Sequence, residues 1–276
     1  MSITEENDAR GPLDIVRAFT TTTAQKPPLT ETRRIVLGDG YHALSLEGGY
    51  FSLQLSVALD KVEKSAGIQQ GSFTYEGRTI NLEDPEPEVW IDDKIAVVWT
   101  GTKRLSPEQE LLGRSLSIFT LLQVNGSWKL AGAASTQLSI ERPPLTISTE
   151  ITPDLLESLE RLKKANQDGA WEDSEKLVLR KAGGTWLVQP GEPQHELLED
   201  HIRGPTGWFG LPVEHEVDES FDDFKVRFSD NTALVWARFT VKSGGNSVRK
   251  GVNVITLYWI DGTWVVAHSA VFAQDT

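Results

Sequence analysis

Cysteine is absent from the 276 residues, which excludes disulfides, thiol nucleophiles and zinc–thiolate sites. No apolar run reaches the about 18 residues that a membrane-spanning helix needs. The polar, acidic start MSITEENDARGP lacks the basic and apolar segments of a secretory signal. Basic residues are also scarce, since 27 Lys and Arg stand against 40 Asp and Glu, for a formal charge of −13. We therefore expect a cytoplasmic protein whose partners include neither nucleic acid nor membrane.

Signatures of metal and cofactor binding are missing as well. The sequence contains no phosphate loop, no dinucleotide fingerprint and no Gly-x-Ser-x-Gly nucleophile elbow. His195 and His201 flank a predicted short helix, but neighbours on a helix face are three or four residues apart, so this pair is unsuited to sharing a metal. These absences favour a protein that works with neither a metal nor an organic cofactor.

What the sequence does contain is an internal repeat. IFTLLQVNGSW (118–128) aligns without a gap with VITLYWIDGTW (254–264), at an offset of 136 residues. Upstream, IAVVWTGT (95–102) matches TALVWARF (232–239) at an offset of 137. Two matches in the same order predict two copies of one domain, 1–143 and 144–276, joined at Pro143-Pro144.

Local signals predict how each copy ends and how the second one begins. Asn125-Gly126 and Asp261-Gly262 predict two-residue hairpins, because a type I′ turn needs positive φ at both central residues. Thr152-Pro153 predicts the start of a helix that runs to about Trp171. The other predicted elements are helices near 12–22, 51–64 and 195–204, strands at 41–46, 185–189, near 213–220 and near 223–228, strands from about 72 onward, and a loop at the acidic run 83–90.

This order of elements, with long strands that end in an Asp-Gly-x-Trp pattern, resembles the nuclear transport factor 2-like superfamily. Within it, the pattern is similar to SnoaL-like polyketide cyclases and ketosteroid-isomerase-like enzymes. The resemblance covers both halves and is most specific over 95–137 and 232–272. It implies an α+β fold of two cone-shaped barrels, each a curved antiparallel sheet wrapped on helices around an apolar pocket. The two cones would pair through their sheets as an intramolecular pseudo-dimer.

His268 is the leading catalytic candidate. Alternation along 263–272 puts His268 on one strand face with Trp264 and Phe272, which makes it an ionisable group among apolar neighbours. Such a histidine serves either as the acid–base group of a pocket or as a structural residue in a core or at the sheet contact. The first copy has Gly132 at the matching place, so we expect the second cone to hold the more polar cavity. The opposite parity would instead turn Ser269 toward the cavity.

The other catalytic candidates are His215, which lies on the apolar face of an alternating segment, and Tyr41 and His42 at the start of a predicted strand. For these two, the resemblance implies that such a residue polarises a carbonyl group. Arg238 lies in the middle of an apolar strand, where it either holds an anionic group or pairs with a carboxylate across the sheet, from Glu214, Glu216 or Asp218. The predicted substrate-binding residues are Trp186, Trp236, Arg238, Asn253 and Phe272.

These observations favour a cofactor-independent enzyme that acts on an apolar small molecule, such as a polyketide or terpenoid intermediate. The reaction would be an isomerisation, cyclisation or dehydration by proton transfer. The alternative is a non-catalytic module of the same fold that binds a ligand or another protein. An ionisable group on the wall of the pocket distinguishes the enzyme from the binding module.

Overall fold

The computed structural model describes residues 10–23, 28–47, 49–66, 79–141, 146–167, 171–203, 217–229 and 231–276. Its elements fall into two sets, which we call the first half and the second half. The first half contains α1 (Pro12–Thr23), α2 (Thr30–Ile35), β1 (Val36–Leu46), β2 (Gly49–Gln54), α3 (Leu55–Ala66), β3 (Thr79–Asp92), β4 (Ile95–Leu105), β5 (Leu111–Val124) and β6 (Ser127–Leu138). The second half contains α4 (Pro153–Gln167), α5 (Trp171–Glu175), β7 (Val178–Gln189), β8 (Gln194–Leu197), α6 (Leu198–Arg203), β9 (Val217–Ser229), β10 (Thr232–Ser243), β11 (Asn246–Ile260) and β12 (Thr263–Asp275).

The two halves repeat one strand order. Over the described residues each half forms one six-stranded sheet, ordered β2-β1-β6-β5-β4-β3 in the first half and β8-β7-β12-β11-β10-β9 in the second. This repetition confirms the predicted duplication and the α+β class. One detail differs from the expectation, because β1 runs parallel to β6 and β7 runs parallel to β12. The last strand of each half returns beside the first one, so the sheets are mixed rather than antiparallel throughout.

Both predicted hairpins form. Asn125 and Gly126 have φ angles of 51° and 79°, and Asp261 and Gly262 have φ angles of 48° and 84°. Positive φ at both central residues is the signature of the type I′ turn, whose twist matches that of the flanking strands. The turns therefore fix the pairing of β5 with β6 and of β11 with β12.

Three predictions of local structure were wrong. Residues 49–54 form β2, so α3 starts at Leu55 and not at 51, because a hairpin with β1 takes up this segment. The predicted helix 195–204 begins as β8, which pairs with β7. The acidic run 83–90, expected to be a loop, lies within β3. β3 is the edge strand of its sheet, where prolines interrupt no second ladder.

Two further expectations fall partly or wholly outside the described residues. Residues 213–216 and the junction Pro143-Pro144 are not among them, and the described part of 213–228 is one strand, β9, instead of two. Helix α4 begins as predicted, with Leu155 N donating to Thr152 Oγ1 at 3.4 Å, but ends at Gln167. None of the helices among the described residues is long and apolar enough to cross a bilayer.

Buried apolar side chains form three clusters. One fills the space between the helices and the inner sheet face of the first half, and a second does so in the second half. The third combines residues of both halves, among them Trp99 and Trp236, so the outer faces of the two sheets pack on each other as the pseudo-dimer predicts. Trp128 and Trp264 belong to the two interiors. All four tryptophans are at most 9% exposed, as expected for structural residues.

Candidate functional site

A cavity of about 360 Å³ lies in the first half, between helices α1 and α3 and the inner face of the sheet. Its volume falls at the lower end of the range of about 300–1,000 Å³ that is usual for small-molecule pockets. Most of the wall is apolar, because the helices turn their buried stripes toward the sheet. The main apolar residues of the wall are Phe19, Leu44, Leu55, Leu59, Val62 and Phe119.

The polar part of the wall includes hydroxyl groups on three adjacent strands. Thr102 of β4, Ser117 of β5 and Ser135 of β6 all line the cavity. Their oxygens form a chain, with Thr102 Oγ1 3.4 Å from Ser117 Oγ and Ser117 Oγ 3.1 Å from Ser135 Oγ. Each hydroxyl can donate and accept, so the chain can turn a donor toward an oxygen atom of a bound molecule.

His42 is an ionisable residue on this wall. It follows Tyr41 on β1 and pairs with Ala133 of β6, which places it on the inner sheet face. Its Nε2 atom is buried and has no hydrogen-bond partner among the described residues. Burial lowers the pKa of His42 from 6.5 to about 4, so the imidazole is neutral at neutral pH. The sequence named His42 as a candidate, and the structure brings it to a cavity.

The equivalent volume of the second half is occupied by larger apolar side chains. Three inward positions show this difference. By strand register, the counterparts of Leu44, Thr102 and Ser135 in the second half are Trp186, Phe239 and Val271. The counterpart of His42 is Gly184, and a Cβ atom on Gly184 would meet the ring of Trp186 at 2.4 Å. The cavity described above is thus in the first half, whereas the sequence predicted the more polar cavity in the second.

His268 lies between the two sheets instead of in a cavity. The pairing of β12 with β11 shifts at Ala267, which is the extra residue of a β-bulge. Before the bulge Trp264 faces the interior of the second half, whereas after it Phe272 packs in the cluster between the sheets. The predicted common face of Trp264, His268 and Phe272 was therefore wrong, because the bulge reverses the alternation. Ser269 takes the inward position instead.

The surroundings of His268 are those of a packed residue. Its Nε2 atom would stand 2.0 Å from a Cβ atom on Gly132, and it has no hydrogen-bond partner among the described residues. Burial, together with the nearby His195 and His42, lowers the pKa of His268 to about 3. The imidazole is therefore neutral and fills the space over a glycine of the other half.

The catalytic candidates other than His42 that the structure describes are separated from the cavity. Tyr41 packs its ring over Gly183 between the sheets, and burial raises the pKa of its phenol. His215 lies outside the described residues. His195 Nδ1 is 2.9 Å from Thr185 Oγ1 in the second half. Of the three catalytic candidates among the described residues, His42 is the one on the wall of the cavity.

The predicted substrate-binding residues do not form one site either. Trp236 and Phe272 pack between the sheets, whereas Trp186 stacks on His201 inside the second half, with ring centroids 4.0 Å apart. Asn253 Oδ1 accepts a hydrogen bond from Ser269 Oγ at 3.2 Å, also inside the second half. The five predicted residues thus serve the core of the second half and the contact between halves.

The ion-pair partner of Arg238 is not one of the carboxylates that the sequence suggested. Its Nε donates to Asp92 Oδ2 at 2.6 Å, and Asp92 belongs to the first half. The expected partners Glu214 and Glu216 lie outside the described residues, and Asp218 faces Lys242 in the strand register. The guanidinium thus bridges the two halves.

The sequence reasoning missed Thr102, Ser117, Ser135 and Arg104 as cavity residues. A signal for three of them exists in the repeat itself, because their counterparts in the second copy are Phe239, Val271 and, for Arg104, Val241. A polar residue in one copy at a position that is apolar in the other marks a site that only one copy keeps. The aligned segments already set Thr102 opposite Phe239, but using the signal also requires knowing which strand positions face the interior.

No family model matches the sequence, and no curated protein matches it. Several of the solved structures that match are described as NTF2-like proteins or as proteins with a cystatin-like fold. A protein of unknown function with a cystatin-like fold from Nostoc punctiforme is 13% identical, with a TM-score of 0.37, over 48% of this chain and 90% of its own. An NTF2-like protein of unknown function from Shewanella baltica is 12% identical, with a TM-score of 0.34, over 46% and 90%. An NTF2-like protein with a cystatin-like fold from Novosphingobium aromaticivorans is 16% identical, with a TM-score of 0.35, over 43% and 79%. Each covers about half of this chain, which is the length of one repeat.

Proposed function

We propose that the first half binds an apolar small molecule in its cavity and catalyses the transfer of a proton from one atom of that molecule to another. His42 is the acid–base group, and neither a metal nor a cofactor takes part. The observation that carries this proposal is the position of His42 on a largely apolar cavity wall, with no hydrogen-bond partner for its ring among the described residues. A buried polar ring without a partner is costly, and a donor or acceptor on a bound molecule would remove that cost.

The chemistry that suits these groups is proton abstraction beside a carbonyl group. The neutral imidazole of His42 takes the proton, and a hydroxyl of the chain that ends at Ser135 donates to the oxygen that gains negative charge. In the protein without a bound ligand the pKa of His42 is about 4, so its imidazole is a weak base. The imidazolium forms next to the developing enolate, however, and attraction between these opposite charges in a dry cavity favours the transfer. Returning the proton from the imidazolium at another carbon atom completes an isomerisation, and returning it to a hydroxyl group on the β-carbon, which then leaves as water, completes a dehydration.

A second candidate function is ligand binding without catalysis. It is favoured by the absence, within the described residues, of any group that hydrogen-bonds the His42 ring. Catalytic bases are usually oriented by a third group, and a binding histidine needs no such support.

The test uses α-tetralone, an apolar bicyclic ketone, in D₂O. We expect the protein to accelerate deuterium incorporation at the α-carbon, as followed by NMR. His42→Gln should reduce that rate by about 100-fold or more while binding of the ketone persists. His195→Gln is the matched control, because His195 lies outside the cavity, and it should exchange like the wild type.

Three outcomes would be informative. Exchange that is lost in His42→Gln but kept in His195→Gln supports the enzyme. Binding of α-tetralone with no exchange above buffer supports the non-catalytic candidate. Exchange that is equally fast in wild type and His42→Gln removes His42 from the mechanism.

A further inference from the structure

Positive charge collects at one end of the first-half cavity, although the protein carries a net charge of −13. Arg104 of β4 and Arg114 of β5 both line the cavity. Arg104 pairs with Gly113 in the strand register, and Lys103 pairs with Arg114, so strand alternation puts Arg104 on the inner sheet face with Thr102 and the other two cations on the outer face.

Two of these three cations, Lys103 and Arg114, share one carboxylate, that of Glu83. Glu83 Oε1 is 3.0 Å from Arg114 Nε, and Glu83 Oε2 is 3.9 Å from Lys103 Nζ. Arg104 is exposed and has no ion-pair partner among the described residues. This end of the cavity therefore keeps an excess of positive charge, carried by a guanidinium that is free to bind.

A glycine places that guanidinium. Arg104 Nη2 lies 3.2 Å from the position that a Cβ atom on Gly113 would take. Because Gly113 has no side chain, the guanidinium of Arg104 lies over β5 on the inner face of the sheet. The second half has Val241 at the position of Arg104 by strand register, so the arrangement belongs to the half that has the cavity.

We infer that the ligand of this cavity is an amphipathic carboxylate, with its anionic group on Arg104 and its apolar body against α1 and α3. This inference rests on the proposed function, because it names the class of molecule that the same cavity takes. Guanidinium groups bind carboxylates through paired hydrogen bonds with matching planar geometry. The apolar residues Phe19, Leu55 and Leu59 supply the surface for the rest of the molecule.

The test compares decanoate with decan-1-ol, which has the same chain without the charge, by isothermal titration calorimetry. Decanoate should bind the wild-type protein at least tenfold more tightly than decan-1-ol. Arg104→Gln should abolish that difference, and Arg104→Lys should retain part of it. Arg180→Gln, which alters an exposed arginine of the second half, is the matched control and should behave like the wild type.

Failure of this inference can be told apart from failure of the proposed function. Equal affinities for decanoate and decan-1-ol, or an unchanged preference in Arg104→Gln, overturn the carboxylate inference and leave the cavity as a binding site. Binding of neither compound overturns the cavity as the ligand site, and with it both proposals.

An independent observation concerns the contact between the two sheets. In a two-fold dimer, residues next to the axis meet their own copies. Strand register makes Gly132 the counterpart of His268, and Tyr41 the counterpart of Gly183. His268 packs over Gly132, and Tyr41 packs over Gly183. Each large side chain thus fills the space left by a glycine at its own equivalent position.

Charged side chains at this contact also differ between equivalent positions of the two halves. Arg227 is the counterpart of Trp90 by register, and its Cζ lies 5.1 Å from the centre of the Trp90 ring. Glu88 accepts hydrogen bonds from Arg227 at 2.7 and 2.5 Å, whereas its own counterpart in the second half is Lys225. Pairing two first halves would set Glu88 against a copy of Trp90 and remove its guanidinium partner, and pairing two second halves would set Lys225 against Arg227, one basic group against another.

We infer that the two sheet faces have diverged into a complementary pair, so that a first half accepts only a second half and not its own kind. Two histidines or two tyrosines at the axis would overlap, and two glycines would leave a void. Attraction in the chosen pair and repulsion in the alternatives together give specificity.

The test moves the large residue from one half to the other in the full chain. Gly132→His and His268→Gly should each lower the thermal unfolding midpoint, and the double variant should have a midpoint above both. Gly38→His with His268→Gly is the matched control, because Gly38 has open space beyond an ordinary contact of 3.8 Å, and its effects should add. Gly132→Ala with His268→Ala repeats the test with a smaller change, in case Gly132→His does not fold. The inference would be overturned if the changes in unfolding midpoint were additive both for Gly132→His with His268→Gly and for Gly132→Ala with His268→Ala.

Discussion

Three buried ionisable residues make the stability of the fold depend on pH, two of them in one direction and the third in the opposite direction. Burial lowers the pKa of His42 to about 4 and, with two nearby histidines, that of His268 to about 3, whereas burial raises the pKa of Glu219 to about 8. Lys163 next to Glu219 counteracts only part of that rise. All three groups are therefore held neutral near pH 7 by the folded structure, although all three would titrate differently in the unfolded chain.

The signs of these shifts predict an optimum of stability. As pH falls below 6.5, the unfolded chain protonates its histidines while the folded His42 and His268 resist, so stability is lost toward acid. As pH rises above 4.5, the unfolded chain ionises Glu219 while the folded protein keeps the proton up to about pH 8, so stability is also lost toward alkali. Each group contributes at most about 1.4 kcal/mol per pH unit. Two groups act on the acid side and one on the alkaline side, which places the maximum near the histidine value of 6.5.

Urea unfolding at pH 5, 6.5 and 8 measures this profile. Glu219→Gln should flatten the decline between pH 6.5 and 8, and His268→Gln should weaken the decline toward pH 5. A wild-type free energy of unfolding that rises steadily from pH 5 to 8 would contradict the assignment of Glu219 as a buried, protonated carboxyl.

Trp264 tests packing at the same scale. It is 4% exposed, and its ring lies edge-on to Trp259 and Phe228, at centroid distances of 5.4 and 6.4 Å. Trp264→Ala should lower the free energy of unfolding by roughly 3–5 kcal/mol, the usual range for removing a buried aromatic side chain. Phe51→Ala, at a residue that is 50% exposed, is the control and should cost far less. A loss below about 1 kcal/mol for Trp264→Ala would contradict its place in the core.

At the scale of elements, the turns carry a prediction of their own. Gly262 has a φ of 84°, and no atom lies within 4 Å of where its Cβ would be, so any cost of Gly262→Ala is conformational. We expect that variant to lose about 1–3 kcal/mol of unfolding free energy. Gly11→Ala, at a glycine without positive φ and with only an ordinary contact of 3.8 Å, should lose much less. Equal losses at the two glycines would mean that the hairpin does not depend on this conformation.

Elements set by local chemistry were predictable from the sequence, and elements set by pairing were not. The hairpin turns and the start of α4 follow from residues such as Asn125-Gly126 and Thr152-Pro153, whose conformations depend on their neighbours in the chain. Strand β2 was mistaken for helix because its partner β1 decides its structure. The repeat itself was visible because both copies keep the same turn and the same tryptophans.

The candidate site was predictable only in part, and the reason is the bulge in β12. A bulge leaves no local signal in this sequence, yet one extra residue at Ala267 turns His268 from the interior of the second half to the other sheet. His42 was named because it opens a strand, and nothing in its neighbourhood showed whether it faced a cavity or a core. The size of side chains on other strands decides that, since Trp186 fills in the second half the space that stays open near His42 in the first.

At the scale of the whole molecule, the two halves form one body held by a shared apolar contact and a charged rim. Strand β3, which includes the acidic run that was expected to be a loop, supplies the rim of the first half. Glu88 and Asp92 accept from Arg227 and Arg238 of the second half. Tyr258 adds a buried link, because its hydroxyl lies 3.2 Å from the backbone oxygen of Ala43 in the first half.

The pair of Glu88 with Arg227 gives the sharpest prediction about this rim, because it can be inverted. Their side chains are 38% and 21% exposed, so they are screened less than a fully exposed pair. Glu88→Arg alone sets two guanidinium groups together, and Arg227→Glu alone sets two carboxylates together, so each should lower the unfolding free energy. The double reversal should recover part of the loss, with a coupling of about 1–3 kcal/mol in a double-mutant cycle. The matched control is Asp173 with Lys176, a pair about two-thirds exposed on both sides, for which the same reversal should couple by less than about 0.5 kcal/mol. A coupling between Glu88 and Arg227 no larger than that of the control would mean that the rim charges do not select the partner half. Specificity would then rest on the fit of His268 and Tyr41 over their glycines.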